Sequence, residues 1–330
     1  MLKNDFADPP KRYRLYAITH ALEEHFSAPL DPLLVLAHAT AGPPPARQQP
    51  FTSAYDFLCS LASWGYGGIV TDVSFDNYLR DEASWGILRE GLGAARSLGL
   101  VVWLYDEQGY PSGTAGGLVL EGHPELQATG VTYHQQDGQG PPDLVLPLPE
   151  GRLIYAVAAP LAGSVVRLQE AQDLTDWASP GQPLCWPVPR ESGGRNWRLM
   201  AFVQQPLYTG THGQTNFYDK RPLINLLDPK ATARFIELTH EAYARRVGEF
   251  FGDTVQAFFT DEPSLASGFL DEKPMPYAAI PWVEGLPHLF RQRYGYELIP
   301  ILLCPGVIQP EGNRQWMAQP GGCWPILSCG

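Results

Sequence analysis

Val255-Gln-Ala-Phe-Phe-Thr-Asp-Glu-Pro263 is an apolar run that ends abruptly in two carboxylates and a proline. The run is short, aromatic and β-branched at its start, which predicts a buried strand of a parallel sheet. In such sheets the chemistry gathers beyond the carboxyl ends of the strands, where Asp261 and Glu262 stand. Pro263 biases Glu262 toward extended backbone and so aims its side chain. The pattern occurs once before, where Leu100-Val-Val-Trp-Leu-Tyr105 runs straight into Asp106 and Glu107. Two strands that each deliver an acidic pair predict an acid-lined pocket.

Working outward, residues 33–37 (Leu-Leu-Val-Leu-Ala) read as a first strand, followed by a loop at Gly42-Pro-Pro-Pro45. Residues 51–64 carry apolar residues at helical spacing, Gly65-Tyr-Gly-Gly68 stops that helix, and residues 69–73 read as the next strand. A second helix spans about 81–98 with Trp85, Leu88, Leu92, Ala95 and Leu98 on its core face and Gly99 at its C-cap. The helix–glycine–strand unit thus repeats at the length of one βα crossover, as parallel strands require. Residues 118–210 break this rhythm with short β-like runs at hairpin spacing. Helical periodicity returns at Asp228-Pro229, an N-cap followed by proline, and continues to Gly252 as one long helix. A further helix is expected over 284–294. The resulting expectation is an α/β chain in four parts. Residues 1–117 hold the first βα units and 118–220 an inserted antiparallel β domain. Residues 221–304 resume with helix, fourth strand and helix, and 305–330 form an irregular tail.

Net charge is −12, from 23 basic and 35 acidic residues, which argues against nucleic acid or an anionic membrane as partner. The five cysteines form no C-x-x-C pair, so neither a disulfide framework nor a zinc site is expected. The N-terminus lacks an apolar signal core and no apolar stretch reaches about 18 residues. The expectation is a cytoplasmic protein, or one whose start is incomplete. Oligomeric state is left open.

Two carboxyl groups flanking a glycosidic bond are the usual equipment for its hydrolysis, one of them kept protonated by burial or a neighbouring charge. Glu262, beside Asp261 and behind Phe258 and Phe259, fits the protonated donor; the plainer reading makes Asp261, Glu262 and Ser264 caps of a following helix. Asp106 and Glu107 enter a Gly/Pro turn, Gln108-Gly-Tyr-Pro-Ser-Gly113, that fixes their direction. They can bind sugar hydroxyls, hold calcium, act in catalysis, or simply form a polar loop. Tyr105, Tyr110 and Asp72 offer further substrate contacts, with Asp76-Asn77 near Asp72. Gly113-Thr-Ala-Gly-Gly117 lacks the lysine and strand context of a phosphate loop. His20, His25 and His212 are read as structural or exposed, and Ser112 has no evident base.

Trp103-Leu-Tyr-Asp-Glu-Gln-Gly-Tyr-Pro-Ser-Gly113, Asn225-Leu-Leu-Asp-Pro-Lys-Ala-Thr-Ala-Arg-Phe235 and Phe259-Thr-Asp-Glu-Pro263 together resemble the α-L-rhamnosidase-like glycoside hydrolases, family 106 in particular, and Gly67-Gly-Ile-Val-Thr-Asp72 fits the same pattern. The resemblance runs over about 51–300 and implies a (β/α)8 TIM-barrel-like glycosidase domain, partial or complete. It implies inverting attack on an α-linked deoxysugar, with Glu262 as general acid and Asp106 and Glu107 holding the sugar. It implies calcium near the sugar in some relatives, and no other cofactor. It also implies a general base from a later strand; the expectation is a glycosidase whose shortened chain is active, or an inactive fragment. Three alternatives remain beside it: a non-catalytic carbohydrate-binding protein, a retaining glycosidase using Glu262 with Asp106 or Glu107, and a misfolded or unproductive gene fragment, marked by the aperiodic tail after Pro305.

Overall fold

A computed structural model describes residues 8–25, 51–74, 77–140, 142–163, 165–207, 221–263, 265 and 279–302. The strand expected over 33–37, Asp76, His212 and the tail at 305–330 lie outside the described residues. The chain divides into two units, Met1–Leu126 with Asn216–Ser264, and Gln127–Thr215 with Leu265–Gly330.

The first unit is built on four parallel strands in the order Tyr16–Ile18, Gly68–Thr71, Val101–Tyr105, Val255–Phe259. The strand expected first, at 33–37, is preceded here by Tyr16–Ile18, a stretch too short and too mixed in polarity to stand out in the sequence. The two central strands are almost wholly buried, because helices cover them, and this is why they read as continuous apolar runs. Helix Ala54–Ser63 starts at Ser53, whose hydroxyl accepts the Asp56 N–H. Helix Glu82–Leu98 starts at Asp81, which accepts from Ala83 and Ser84, and ends at Gly99 in the left-handed conformation. Its expected core face is buried at Trp85, Leu88, Leu92 and Ala95. Each fully buried side chain of this size stabilises the fold by about 1.5–3 kcal/mol.

The long helix expected from Asp228 to Gly252 is interrupted. It forms as Pro229–Leu238 and His240–Val247, followed by one 3-10 turn at Gly248–Phe250. Thr239 leaves helical geometry with φ −104° and ψ −81°, and its hydroxyl donates to the Phe235 carbonyl at 2.6 Å. A threonine hydroxyl that bonds back to the preceding turn competes with the helix ladder and bends it. Apolar spacing is blind to this break, since Phe235, Tyr243 and Val247 stay buried on either side of it.

The second unit is antiparallel. Thr129–Gln139, Asn196–Pro206 and Arg152–Ala162 are long paired strands, flanked by Ile280–Trp282 at one edge and Val165–Val166 at the other. Gln172–Asp173 also pairs with Arg152–Ala162, and Leu144–Leu146 pairs with Leu184–Trp186 as a separate ribbon. Alternation gives the sheet two apolar faces. Leu199 and Ala201 pack with Trp186 and Trp197, whereas Met200 and Phe202 pack with Tyr133 and Trp282. The expectation that residues 221–304 form one continuous piece is corrected at its end. Ile280–Trp282 pairs with Thr129–Gln139, and Leu286 and Leu302 join the second unit's core. The described architecture is mixed α/β, with an open four-stranded parallel sheet rather than a closed ring.

A Cβ placed on Gly68 would meet the Val101 carbonyl oxygen at 2.2 Å, so the second and third strands approach too closely for a side chain there. Gly68→Ala is therefore expected to lower unfolding free energy by about 1–3 kcal/mol in urea titration.

Candidate functional site

Each of the four parallel strands is followed by an ionisable side chain. His20 follows the first, Asp72 the second, Asp106 and Glu107 the third, Asp261 and Glu262 the fourth. Asp72, Asp106 and Glu107 are buried, at 1%, 0% and 0% exposure, yet each carboxyl is held differently.

Asp106 accepts two hydroxyl bonds, from Ser112 to Oδ1 at 2.6 Å and from Thr260 to Oδ2 at 2.5 Å. His240 Nε2 lies 3.4 Å from Oδ2. The broken helix sets that imidazole in place, and it also rests against the Phe258 ring. Ser112 does more than serve Asp106. Its Oγ accepts the Asp261 N–H at 2.8 Å and its own N–H donates to the Asp261 carbonyl at 2.7 Å. One residue thereby ties the third strand's exit to the fourth's. The sequence offered Ser112 no base; its partner is an acid six residues earlier, across the turn.

Glu107 departs from the expected substrate contact. Oε1 accepts the N–H groups of Gln108 and Gly116, and Oε2 those of Gly113, Thr114 and Ala115. Successive N–H groups converge on one anion where right- and left-handed residues alternate or the chain turns tightly. Here Gly113, Ala115, Gly116 and Gly117 all have positive φ. The glycine-rich stretch that failed as a phosphate loop is an anion cradle whose anion is the chain's own glutamate. Burial pushes the Glu107 carboxyl up, while the N–H groups of Gly116, Gln108, Ala115 and Thr114 pull it down. Arg221 Nη1 stands 3.9 Å from Oε1.

Every oxygen of Asp106 and Glu107 already accepts a donor, so the pair as arranged does not fit a cation.

Glu262 is exposed, contrary to the expected burial behind Phe258 and Phe259. Both backbone polar groups of Asp261 are bound to Ser112, which holds Asp261 inward and turns the next side chain out. Glu262 has φ +47° rather than the extended backbone expected before proline, a conformation that costs an L-residue about 1–2 kcal/mol. Asp261 is half-buried, and its Oδ2 accepts the Tyr105 hydroxyl at 3.0 Å. Burial, then the Asp261 charge, pushes the Tyr105 phenol far up, so it remains a neutral donor. Burial, then the charges of Glu262 and Asp261, raises Tyr110.

Asp72 completes the row. The phenol of buried Tyr78 is pushed up by burial first, and further by Tyr243, Glu107, Asp72 and Asp106. Burial raises the Asp72 carboxyl, with His20 opposing from 3.8 Å. The seven residues named from the sequence (Glu262, Asp106, Glu107, Asp72, Tyr105, Tyr110 and Asp261) are thus linked in one region of the first unit. His20, His240, Thr260 and Tyr78 join them without having been singled out as site residues. Their common signal, proximity across strands, is not written in linear spacing. Among the described residues, no grouping of three or more His, Cys, Asp or Glu could hold a metal, and no helix is long and apolar enough to cross a membrane.

No family model and no curated protein matches this sequence. Several solved structures are similar. One is a rhamnosidase from Novosphingobium sp. PP1Y, 11% identical, with a TM-score of 0.48 over 93% of this chain and 42% of that one. The chain thus spans less than half the length of that protein.

Glu107→Ala leaves five N–H groups without their acceptor. It is expected to cost about 3–5 kcal/mol in urea unfolding, with faster amide exchange over 113–116. Asp72 has the opposite sign. A carboxyl that holds its proton more tightly when folded contributes stability that is complete below its unfolded value, near about 3.9, and lost as pH rises through the folded value. The melting temperature of Asp72→Asn minus that of wild type should therefore widen as pH rises from about 4.

Proposed function

We propose that the first unit is the substrate-binding and proton-donating part of a glycoside hydrolase, acting on an α-L-rhamnoside-like bond within a (β/α)8-type barrel. The observation that carries this reading is the row of ionisable groups at four adjacent parallel strand exits, with the Tyr105 hydroxyl donating to Asp261. Parallel-sheet enzymes assemble catalytic residues from the ends of several strands in this manner. Aromatic rings beside acids suit a sugar, whose C–H faces stack and whose hydroxyls donate.

In this reading Glu262 protonates the glycosidic oxygen. Its exposed carboxyl is open to a bond arriving from solvent, and a sugar laid over it would strip away water and favour its neutral form beside Asp261. Asp106 and Glu107 are positioning residues. Their committed oxygens and full burial leave neither available as the nucleophile of a retaining pair with Glu262. That same observation favours the second reading, a sugar-binding protein that cleaves nothing, since no second acid is free at the third strand's exit.

Hydrolysis of an α-L-rhamnoside with a poor leaving group separates the two. Glu262→Gln is expected to lower kcat by about 10²–10⁴-fold, the usual worth of a positioned acid. An unchanged rate removes Glu262 from the mechanism, and calorimetric sugar binding without turnover selects the binding protein.

A further inference from the structure

Glu262 holds a backbone conformation, φ +47°, that an L-residue adopts only at a cost. Strain of this kind persists where the surroundings over-determine it, and it gathers at working sites. Two neighbours constrain it here. Ser112 binds both backbone polar groups of Asp261, one residue before Glu262. Thr260, two residues before, donates its hydroxyl to Asp106 Oδ2 at 2.5 Å. The Ser112 hydroxyl donates to the other oxygen of the same carboxyl, Oδ1, at 2.6 Å. One buried acid therefore anchors both residues that direct Glu262.

Asp106 needs an anchor in its turn. A hydroxyl carries one proton and rotates to suit its acceptor, so Ser112 and Thr260 follow the carboxyl more than they aim it. The rigid neighbour is His240. Its Nε2 stands 3.4 Å from Asp106 Oδ2, the oxygen that also takes the Thr260 hydroxyl. The imidazole is held from several sides. Nδ1 lies 2.8 Å from the Thr239 hydroxyl, and the ring centre lies 4.5 Å from that of Phe258 and 5.6 Å from that of Phe235. The helix interruption falls directly before this residue. Phe258 belongs to the fourth strand, so His240 touches both the acid after the third strand and the strand that leads to Glu262.

The geometry points to His240 as a positioning residue for Glu262. It holds Asp106 in place, and Asp106, through Thr260 and Ser112, sets the direction of the proton donor. His240 touches no substrate in this scheme. The inference rests on the glycosidase reading and deepens it by naming what keeps the acid in its strained pose. A donor displaced by a fraction of its working distance loses rate without losing substrate, because orientation and binding are separate contributions.

The test is steady-state kinetics of the full chain on two substrates. Methyl α-L-rhamnoside has a leaving group that needs a proton, whereas the leaving group of dinitrophenyl α-L-rhamnoside departs without one. His240→Phe keeps a ring against Phe258 and removes both nitrogens; His240→Gln offers an N–H where Nε2 stands. His240→Phe is expected to lower kcat on the methyl glycoside by about 10- to 100-fold, the cost of a misplaced catalytic group. KM and the rate on the dinitrophenyl glycoside should stay near wild type, and His240→Gln should recover most of the loss. If His240→Phe does not fold, His240→Asn, too short to reach Asp106, carries the same expectation. Equal losses on both substrates, a loss that His240→Gln does not restore, or no loss at all overturns the proposal. Glu262→Gln is measured alongside. A loss confined to the methyl glycoside in Glu262→Gln, with none in the His240 variants, removes His240 alone. A wild type that turns over neither substrate removes the glycosidase reading and this inference with it.

Discussion

Five backbone N–H groups converging on Glu107 are the constraint on which the rest of the site depends. They fix residues 108–116 as a tight cradle, and that cradle carries Tyr110 and Ser112. Ser112 then orients Asp106 and clamps Asp261 through both of its backbone groups. The clamp decides which acid of the fourth strand faces inward and which faces water. A carboxylate with no contact to solvent thus sets the direction of the one most exposed to it. The stabilisation is local, but its loss would loosen two strand exits at once.

The three fully buried acids show three solutions to one electrostatic problem. Glu107 is neutralised by peptide dipoles, which cost little reorganisation and hold it rigidly. Asp106 is met by hydroxyls and an imidazole, groups that can shift or exchange protons. Asp72 is met by a distant imidazole and otherwise by aromatic bulk, and burial raises its carboxyl accordingly.

The second unit has its own foundation. Its long antiparallel strands alternate so that Leu199 and Ala201 serve one apolar cluster while Met200 and Phe202 serve another. Two covered faces explain why the segment reads as runs of apolar residues rather than clean alternation, and why hairpin spacing was its clearest mark.

The sequence by itself determined the elements whose signal is local. The two central parallel strands, the two helices before the third strand and the Gly99 cap follow from apolar runs and glycine placement, whereas the N-caps Ser53 and Asp81 emerged only in the structure. The acids at two strand exits were visible because a buried strand that ends in carboxylates is a local pattern. Tertiary structure alone decided what each acid does. Glu107 and Glu262 each follow an apolar strand as the second of two acids, yet one is enclosed by N–H groups and the other is exposed. The break at Thr239 that sets His240 against Asp106, and the departure of residues 280–302 to the other sheet, were equally hidden. The physical reason is common to all of these. Burial, hydrogen-bond partners and strand pairing join residues that are far apart in sequence, and spacing along one chain carries no record of which distant groups will meet.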